Sequence, residues 1–147
     1  MSLRNLLGIS LDAIEPDAVA IGKLLAAAQR NLTDARLPGL SAENRADAAY
    51  KAVMQLAMVA LQANGYRTLT SKPGHHQTAI QTLTATVDLP PGHVIVLDAL
   101  RKQRHLSDYA GDVIPDAVAA ECLASGEALQ RHVLDWLRTR RPDLVPG

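Results

Sequence analysis

The stretch from Arg101 to Tyr109 holds the densest group of side chains in the sequence that could carry out chemistry. Four of its members are related by steps of three or four residues and can line one face of a helix: Arg101, Arg104, His105 and Asp108. Planar guanidinium groups bind phosphate oxygens through paired hydrogen bonds, and an imidazole donates or accepts a proton near neutral pH. The stretch therefore indicates an anion or phosphate site.

A simpler interpretation of the same stretch stays open. The polar face continues an apolar stripe that begins with Leu97 and Leu100, so the helix either leaves the core here or brings charge into a cleft. A solvated last turn also favours basic residues, because they complement the helix dipole, and Asp108 would then pair with Arg104 or Arg101.

Two histidines and a second helix supply the remaining candidates. His75 and His76 are adjacent, so on a helix they project about 100° apart and are poorly placed to bind one metal ion. They could line a ligand groove together with Tyr50, while Arg45 could bind phosphate. Each also has a routine interpretation, with Arg45 as a surface charge and Tyr50 as a core residue whose hydroxyl reaches the rim.

The sequence has none of the spacings typical of metal sites or nucleophilic enzymes. It lacks a Cys-x-x-Cys pair, a His-Glu-x-x-His helix, a Gly-x-Ser-x-Gly turn and a glycine-rich phosphate loop. The one cysteine, Cys122, falls on an apolar helical stripe and is expected to be an inert core thiol. No metal and no cofactor are expected.

Composition predicts a small all-α protein. The chain has 147 residues, and its 48% hydrophobic content comes mostly from alanine, leucine and valine, with no phenylalanine. Fifteen basic and fifteen acidic residues balance, so any binding to nucleic acid must come from a local patch. A single cysteine, no signal-peptide pattern and no apolar run long enough to span a bilayer favour the cytoplasm and no membrane contact.

Helical periodicity and breakers predict an antiparallel four- to five-helix bundle in one domain, 1–147, with its core at about 16–141. Met1–Ile14 is expected to be a short helix or irregular, and Tyr66–Gly74 a polar loop. The predicted helices run from Pro16 to Leu37, from Ser41 to Asn64, from His76 to Val87, from about Val94 to Asp108–Asp112, and from Pro115 to Arg141.

Four segments together resemble the HEPN superfamily of small helical bundles, over roughly residues 17–136. Asn44–Ala52 is similar to that family's Arg-…-Ala-Tyr-x-Ala helix, and Ala60–Tyr66 looks like its Ala-Leu-x-x-x-Gly-Tyr helix end. Gly74-His75-His76 resembles a Gly-His-His found before the next helix in some members. Leu100–Tyr109 looks like the family's Arg-polar-x-x-x-His helix.

The resemblance implies a toxin–antitoxin or defence protein that cleaves RNA without metal, through paired Arg and His side chains across a homodimer. Arg104 matches the motif arginine and His105 the polar position, but Tyr109 occupies the position of the catalytic histidine. If the motif is aligned instead with Arg101 and His105, it has both its arginine and its histidine, but only three residues separate them, one fewer than the usual minimum of four. Tyrosine has a pKa near 10 and is a poor general base at neutral pH, so phosphate binding tolerates this departure better than cleavage does.

The leading prediction is a HEPN-like protein that binds RNA or nucleotide phosphates and, if it is an enzyme, acts as a metal-independent endoribonuclease. Its predicted catalytic residues are Arg104, His105 and Tyr109; its phosphate-binding residues are Arg101, Arg104 and Arg45; and its groove residues are Tyr50, His75, His76 and Asp108. The alternative is a non-enzymatic module in which the last two predicted helices bind a second copy or an antitoxin-like protein. A DNA-binding regulator is disfavoured, because the sequence has no helix-turn-helix with a basic recognition helix.

Overall fold

A computed structural model describes residues 2–111 and 113–146, and their side chains except at 106–109. The chain is mostly helical, as predicted, and also contains a small two-stranded sheet. The described residues form the α-helices α1 Ala18–Ala35, α2 Ala42–Ala63, α3 His75–Gln81, α4 Leu83–Val87, α5 Pro91–Ala110 and α6 Asp116–Arg140. Two strands, β1 Leu11–Ala13 and β2 Tyr66–Thr68, and two short 3₁₀ turns, Leu3–Leu6 and Pro142–Leu144, complete the described elements.

Helix boundaries follow local chemistry at several of the predicted points. The Asp17 carboxylate accepts a hydrogen bond from the Val19 N–H and begins α1, and the Ser41 hydroxyl accepts one from the Asn44 N–H and begins α2. Helix α2 ends at Ala63 with Asn64 as its C-cap, followed by Gly65 at φ +87°. That glycine adopts the left-handed conformation, as its place after the helix predicted.

Helix α2 lies at the centre of the fold, packed against α1 on one side and α6 on the other. Its alanines and Gly126 of α6 let the backbones approach closely. A Cβ on Gly126 would lie 2.9 Å from Leu32 Cδ2 and 3.6 Å from the Ala49 carbonyl oxygen. The small residues therefore determine how near α1, α2 and α6 can lie, and this frame holds α2 in place for the candidate site.

The N-terminal segment joins the core through a small sheet, which corrects the prediction for two segments. Strands β1 and β2 pair antiparallel, with Leu11 opposite Thr68, so Met1–Ile14 and Tyr66–Gly74 contain strands as well as irregular chain. Leu11 and Leu144 are buried in the same hydrophobic cluster, so the core extends beyond 16–141. Strands of three residues are too short to show the alternation by which a strand is recognised.

The single helix predicted from His76 to Val87 is wrong, because the structure divides it at Thr82 into α3 and α4. The buried Thr82 hydroxyl donates to the carbonyls of Thr78 and Ala79, and Thr86 repeats the pattern on Thr82. Such bonds compete with regular helical geometry and can bend or interrupt a helix. The break leaves α3 as a short helix that contacts α2 and α5.

Across the described ranges, no helix is both long and apolar enough to cross a membrane.

Candidate anion-binding site

Tyr50 and His76 connect the centre of α2 to the first turn of α3. The Tyr50 ring is buried, and its hydroxyl lies 3.2 Å from His76 Nδ1. The ring of His75 makes an edge-on contact with that of His76, with the centroids 4.6 Å apart. Gly74 precedes both histidines with φ +78°, a conformation that glycine adopts without strain. The turn thereby places the histidine pair beside the tyrosine hydroxyl.

Arg104 of α5 covers the same tyrosine. Its guanidinium carbon lies 4.8 Å from the centroid of the Tyr50 ring, within the range of a cation–π contact. Arg104 Nε also donates a 2.8 Å hydrogen bond to Asp47 Oδ1, one turn before Tyr50 on α2. The ring and the carboxylate together fix the guanidinium on the surface between α2 and α5.

Two carboxylates at this surface are each shared by two cations. Asp47 pairs with Arg104 and, at 3.4 Å, with Lys51; Asp98 pairs with Arg101 at 2.8 Å and with Lys102 at 3.4 Å. We call the four basic side chains the cation cluster: Lys51, Arg101, Lys102 and Arg104. The cluster concentrates basic side chains on one surface, so it can attract an anion although the whole chain is neutral.

Burial and the arginine charges shift the pKa values of Tyr50 and His76. Burial raises the pKa of Tyr50 to about 12, although the positive charges of Arg104 and Arg101 oppose the rise. Burial also lowers the pKa of His76, and the charges of His75, Arg104 and Arg101 lower it further. The tyrosine is therefore a neutral hydroxyl, and His76 is held in its neutral form at physiological pH.

At Asp98, the pairing with Arg101 has a larger effect on the pKa than burial does. Burial alone would raise the pKa of Asp98, but its hydrogen bond and charge interaction with Arg101, helped by Lys102, outweigh that effect and lower the pKa. The carboxylate is therefore ionised at neutral pH and keeps Arg101 oriented.

The neutral imidazole of His76 can exchange a proton through either tautomer. The Tyr50 hydroxyl can donate to Nδ1, which leaves a proton on Nε2, or accept from an Nδ1–H, which leaves Nε2 as a base. Arginine side chains lie beside this group and bind phosphate oxygens well. The arrangement can thus hold an anion and offer it either a hydrogen-bond donor or a base.

The other predicted site residues have different surroundings. Arg45 pairs with Asp116 at 2.6 Å and donates to the Leu40 carbonyl, so it links the start of α2 to the start of α6. His105 is exposed on α5. The side chains of Asp108 and Tyr109 lie outside those the structure describes. The structure thus brings together Tyr50, His75, His76, Arg101 and Arg104 from the predicted set.

Sequence reasoning missed Asp47, Asp98 and Lys51. Two local signals could have found part of this pattern, since Asp47 and Lys51 are four residues apart and Asp98 precedes Arg101 by three. The pairing of Asp47 with Arg104 joins residues 57 positions apart and has no local signal.

The interior beneath the cluster is filled. The space between Tyr50, Arg104, Ile114 and Cys122 amounts to about 10 Å³, at the lower limit for one water molecule. Cys122 is buried, and burial raises the pKa of its thiol to about 11. A ligand of the cluster must therefore bind at the outer surface. Among the described residues, no three histidine, cysteine or acidic side chains are grouped so as to hold a metal ion.

Comparison with known proteins adds no assignment, since no protein-family model, curated protein or solved structure matches the chain.

Proposed function

We propose that the cation cluster binds phosphate groups of RNA or of a nucleotide. The observation that carries the proposal is the position of Arg104, which is held over Tyr50 while the Tyr50 hydroxyl contacts His76. Arg101 lies one turn away on α5, so two guanidinium groups of α5 and the imidazole of α3 share one surface. Neutral domains can bind nucleic acid through such a local patch.

The HEPN-like fold remains part of this proposal, with a role in a toxin–antitoxin or defence system. Its support is that three of the resembling segments meet at the site. Tyr50 comes from the Ala-Tyr-x-Ala segment, His76 from the Gly-His-His segment and Arg104 from the segment that begins at Leu100. A resemblance in order along the chain is more informative when the same residues are also neighbours in space.

If the protein cleaves RNA, the chemistry would be an attack of the ribose 2′-hydroxyl on the adjacent phosphate. His76 Nε2 would take the hydroxyl proton while Nδ1–H donates to Tyr50, and Arg101 and Arg104 would stabilise the charge of the phosphorane. The 5′-oxygen would leave and take a proton from His105 or water. The sequence pointed to His105 as the catalytic histidine. His76 is the better candidate for the base, because it lies beside Tyr50 and near the arginines.

The test uses a labelled single-stranded oligoribonucleotide in a buffer with EDTA, with binding and cleavage measured separately. Wild type is compared with Arg104→Ala, His76→Ala and His105→Ala, and with Arg36→Ala as a charge-matched control, because Arg36 pairs with Glu127 on the α1–α6 surface. We expect binding to fall with Arg104→Ala and to persist with Arg36→Ala. Equal binding by all variants would refute the proposal, and equal cleavage by all would identify a contaminating nuclease.

A second candidate function, the non-enzymatic interaction module, is favoured by an apolar groove between α5 and α6. The groove has a volume of about 240 Å³ and contains Leu89, His93, Val96, Leu97, Glu121, Ala124, Ser125, Ala128 and Leu129. Val96, which lines this groove, is 40% exposed. An exposed apolar groove of this kind is typical of protein contact surfaces.

The occupant that this candidate predicts is a second copy of the chain. His93 and Glu121 on the same patch would pair reciprocally across a two-fold contact, with Val96 packing into the groove of the other copy. Sedimentation velocity over a range of concentrations should show a dimer that Val96→Asp dissociates and that Val19→Asp, at an exposed apolar site on α1, leaves intact. A monomeric wild type would exclude this candidate.

A further inference from the structure

We propose that phosphate binding at the cation cluster is coupled to the uptake of a proton by His76, so that the affinity rises as the pH falls below neutral. The inference rests on the proposed phosphate-binding function and names the regulation of that same site. It starts from two groups around one ring: the centroid of the His76 ring lies 6.0 Å from that of Tyr50, whose face carries the Arg104 guanidinium at 4.8 Å. A phosphate held by the arginine is therefore close enough to act on the charge of the imidazole.

Positive groups surround His76 when no ligand is bound. Burial has the largest effect in lowering its pKa, and the charges of His75, Arg104 and Arg101 lower it further. The ring of His75 contacts that of His76 edge-on, and the two arginines belong to α5, which packs against α3. These neighbours oppose an added positive charge, so the imidazole is neutral at physiological pH until an anion binds.

The carboxylates of the elements packed against α3 are engaged in pairs. Helix α2 contributes Asp47 and α5 contributes Asp98, and each bridges two cations of the cluster. On β2, Arg67 pairs with Asp12 of β1, and α4 has no ionisable side chain. A phosphate from solution therefore adds a new negative charge beside His76.

The protonated imidazole of His76 would have an acceptor for each of its two donors. Its Nδ1–H can donate to the Tyr50 hydroxyl, which lies 3.2 Å away and can accept because it is neutral, with a pKa of about 12. Its Nε2–H can donate to a phosphate oxygen. The opposite charges of phosphate and imidazolium then stabilise each other, so the ligand raises the pKa of His76 and, by linkage, the proton raises the affinity for the ligand.

The same proton should separate binding from cleavage. It occupies Nε2 of His76, the atom that the proposed cleavage needs as a base. Acidification should therefore strengthen binding and slow any cleavage, whereas cleavage should be fastest at a pH at which His76 in the complex is still neutral.

The test measures the affinity for an oligouridylate without terminal phosphates, from pH 7.5 to pH 5 at constant salt. Uracil and phosphodiester groups keep their charge over this range, so a change in affinity comes from the protein. Wild type should gain about five- to tenfold toward pH 5, which corresponds to a rise of about one unit in the pKa of His76 on binding. His76→Gln stays neutral and should lose most of this gain, whereas His93→Gln, at an exposed position of α5, should keep it.

Titration calorimetry at pH 6 in two buffers of different ionisation enthalpy measures the proton uptake directly. Wild type and His93→Gln should take up a fraction of a proton on binding, and His76→Gln close to none, while circular dichroism at each pH establishes that the fold is retained. If affinity gain and proton uptake persist in His76→Gln, or are absent from wild type, the coupling is overturned and the proposed function stands. Absence of binding by wild type at every pH would overturn the proposed function and this inference together.

Discussion

Arg104 of α5 lies over the ring of Tyr50 on α2, with 4.8 Å between the guanidinium carbon and the ring centroid. The contact sits above a filled interior, and the hydroxyl of the same tyrosine contacts His76 of α3. One buried aromatic ring thus orients a cation on its face and an imidazole at its polar end. The relationship explains how an open surface can hold a defined arrangement of charged groups.

The planar shape of Arg104 should matter as much as its charge. Lysine keeps the charge but has neither the flat face that stacks on Tyr50 nor the fork that binds two oxygens. We expect Arg104→Lys to lose nearly as much affinity for a 5′-phosphorylated oligoribonucleotide as Arg104→Ala, about tenfold, equivalent to one charge-assisted hydrogen bond. Arg36→Lys, at an exposed pair elsewhere, should leave the affinity unchanged. Full binding by Arg104→Lys would show that a point charge is sufficient.

Acidification should destabilise the fold through His76. Its pKa is lowered in the folded protein, chiefly by burial, and has the ordinary value near 6.5 in the unfolded chain. Between these two values the unfolded chain binds more protons, so the free energy of unfolding falls as the pH drops below about 6.5. Urea unfolding from pH 7.5 to 5 should show a weaker pH dependence for His76→Gln than for wild type or for His93→Gln, whose side chain is exposed on α5. Identical pH profiles for all three proteins would contradict the described surroundings of His76.

Gly126 should tolerate no side chain, whereas Gly22 should tolerate one. A Cβ on Gly126 would lie 2.9 Å from the fully buried Leu32, so Gly126→Ala should cost about 1–3 kcal/mol of overpacking, partly offset by better helix propensity. A Cβ on Gly22 of α1 meets only Pro146 at an ordinary 3.5 Å, so Gly22→Ala should stabilise by up to about 1 kcal/mol. Chemical denaturation measures both changes. A gain in stability from Gly126→Ala would contradict the close approach of α1 and α6.

Arg45 should act on stability and leave phosphate binding unchanged. Its pairing with Asp116 and its bond to the Leu40 carbonyl tie α2 to the start of α6, and the side chain of Glu43 strengthens the same junction by accepting from the Ile114 N–H. Because Asp116 is largely exposed, Arg45→Ala should lower the free energy of unfolding by about 1 kcal/mol or less. Its affinity for the phosphorylated oligoribonucleotide should match that of wild type. A loss of affinity comparable to that of Arg104→Ala would return Arg45 to the phosphate-binding residues predicted from the sequence.

The long helices were predictable because their signals are local. Ser41 and Gly65 mark the ends of α2, and the apolar period between them persists over six turns. The break at Thr82 and the pairing of β1 with β2 depend on which carbonyls and strands lie nearby in space, and no local pattern encodes that. The same distinction between local and non-local signals applies to the candidate site. Arg101, Arg104 and the histidines are recognisable by residue type, whereas the partnership of Arg104 with Asp47 and Tyr50 arises only when α5 packs near α2.

The salt dependence of RNA binding tests the central claim most directly. Each phosphate contact to a single strand contributes about 0.7 to the slope of log affinity against log salt concentration, so Arg101→Ala/Arg104→Ala should lower the slope by about 1.4. Arg36→Ala/Arg138→Ala removes the same charge from other surfaces and should keep the wild-type slope. If the two double variants show equal slopes, or if the protein binds no RNA at low salt, the cation cluster is not a phosphate-binding site.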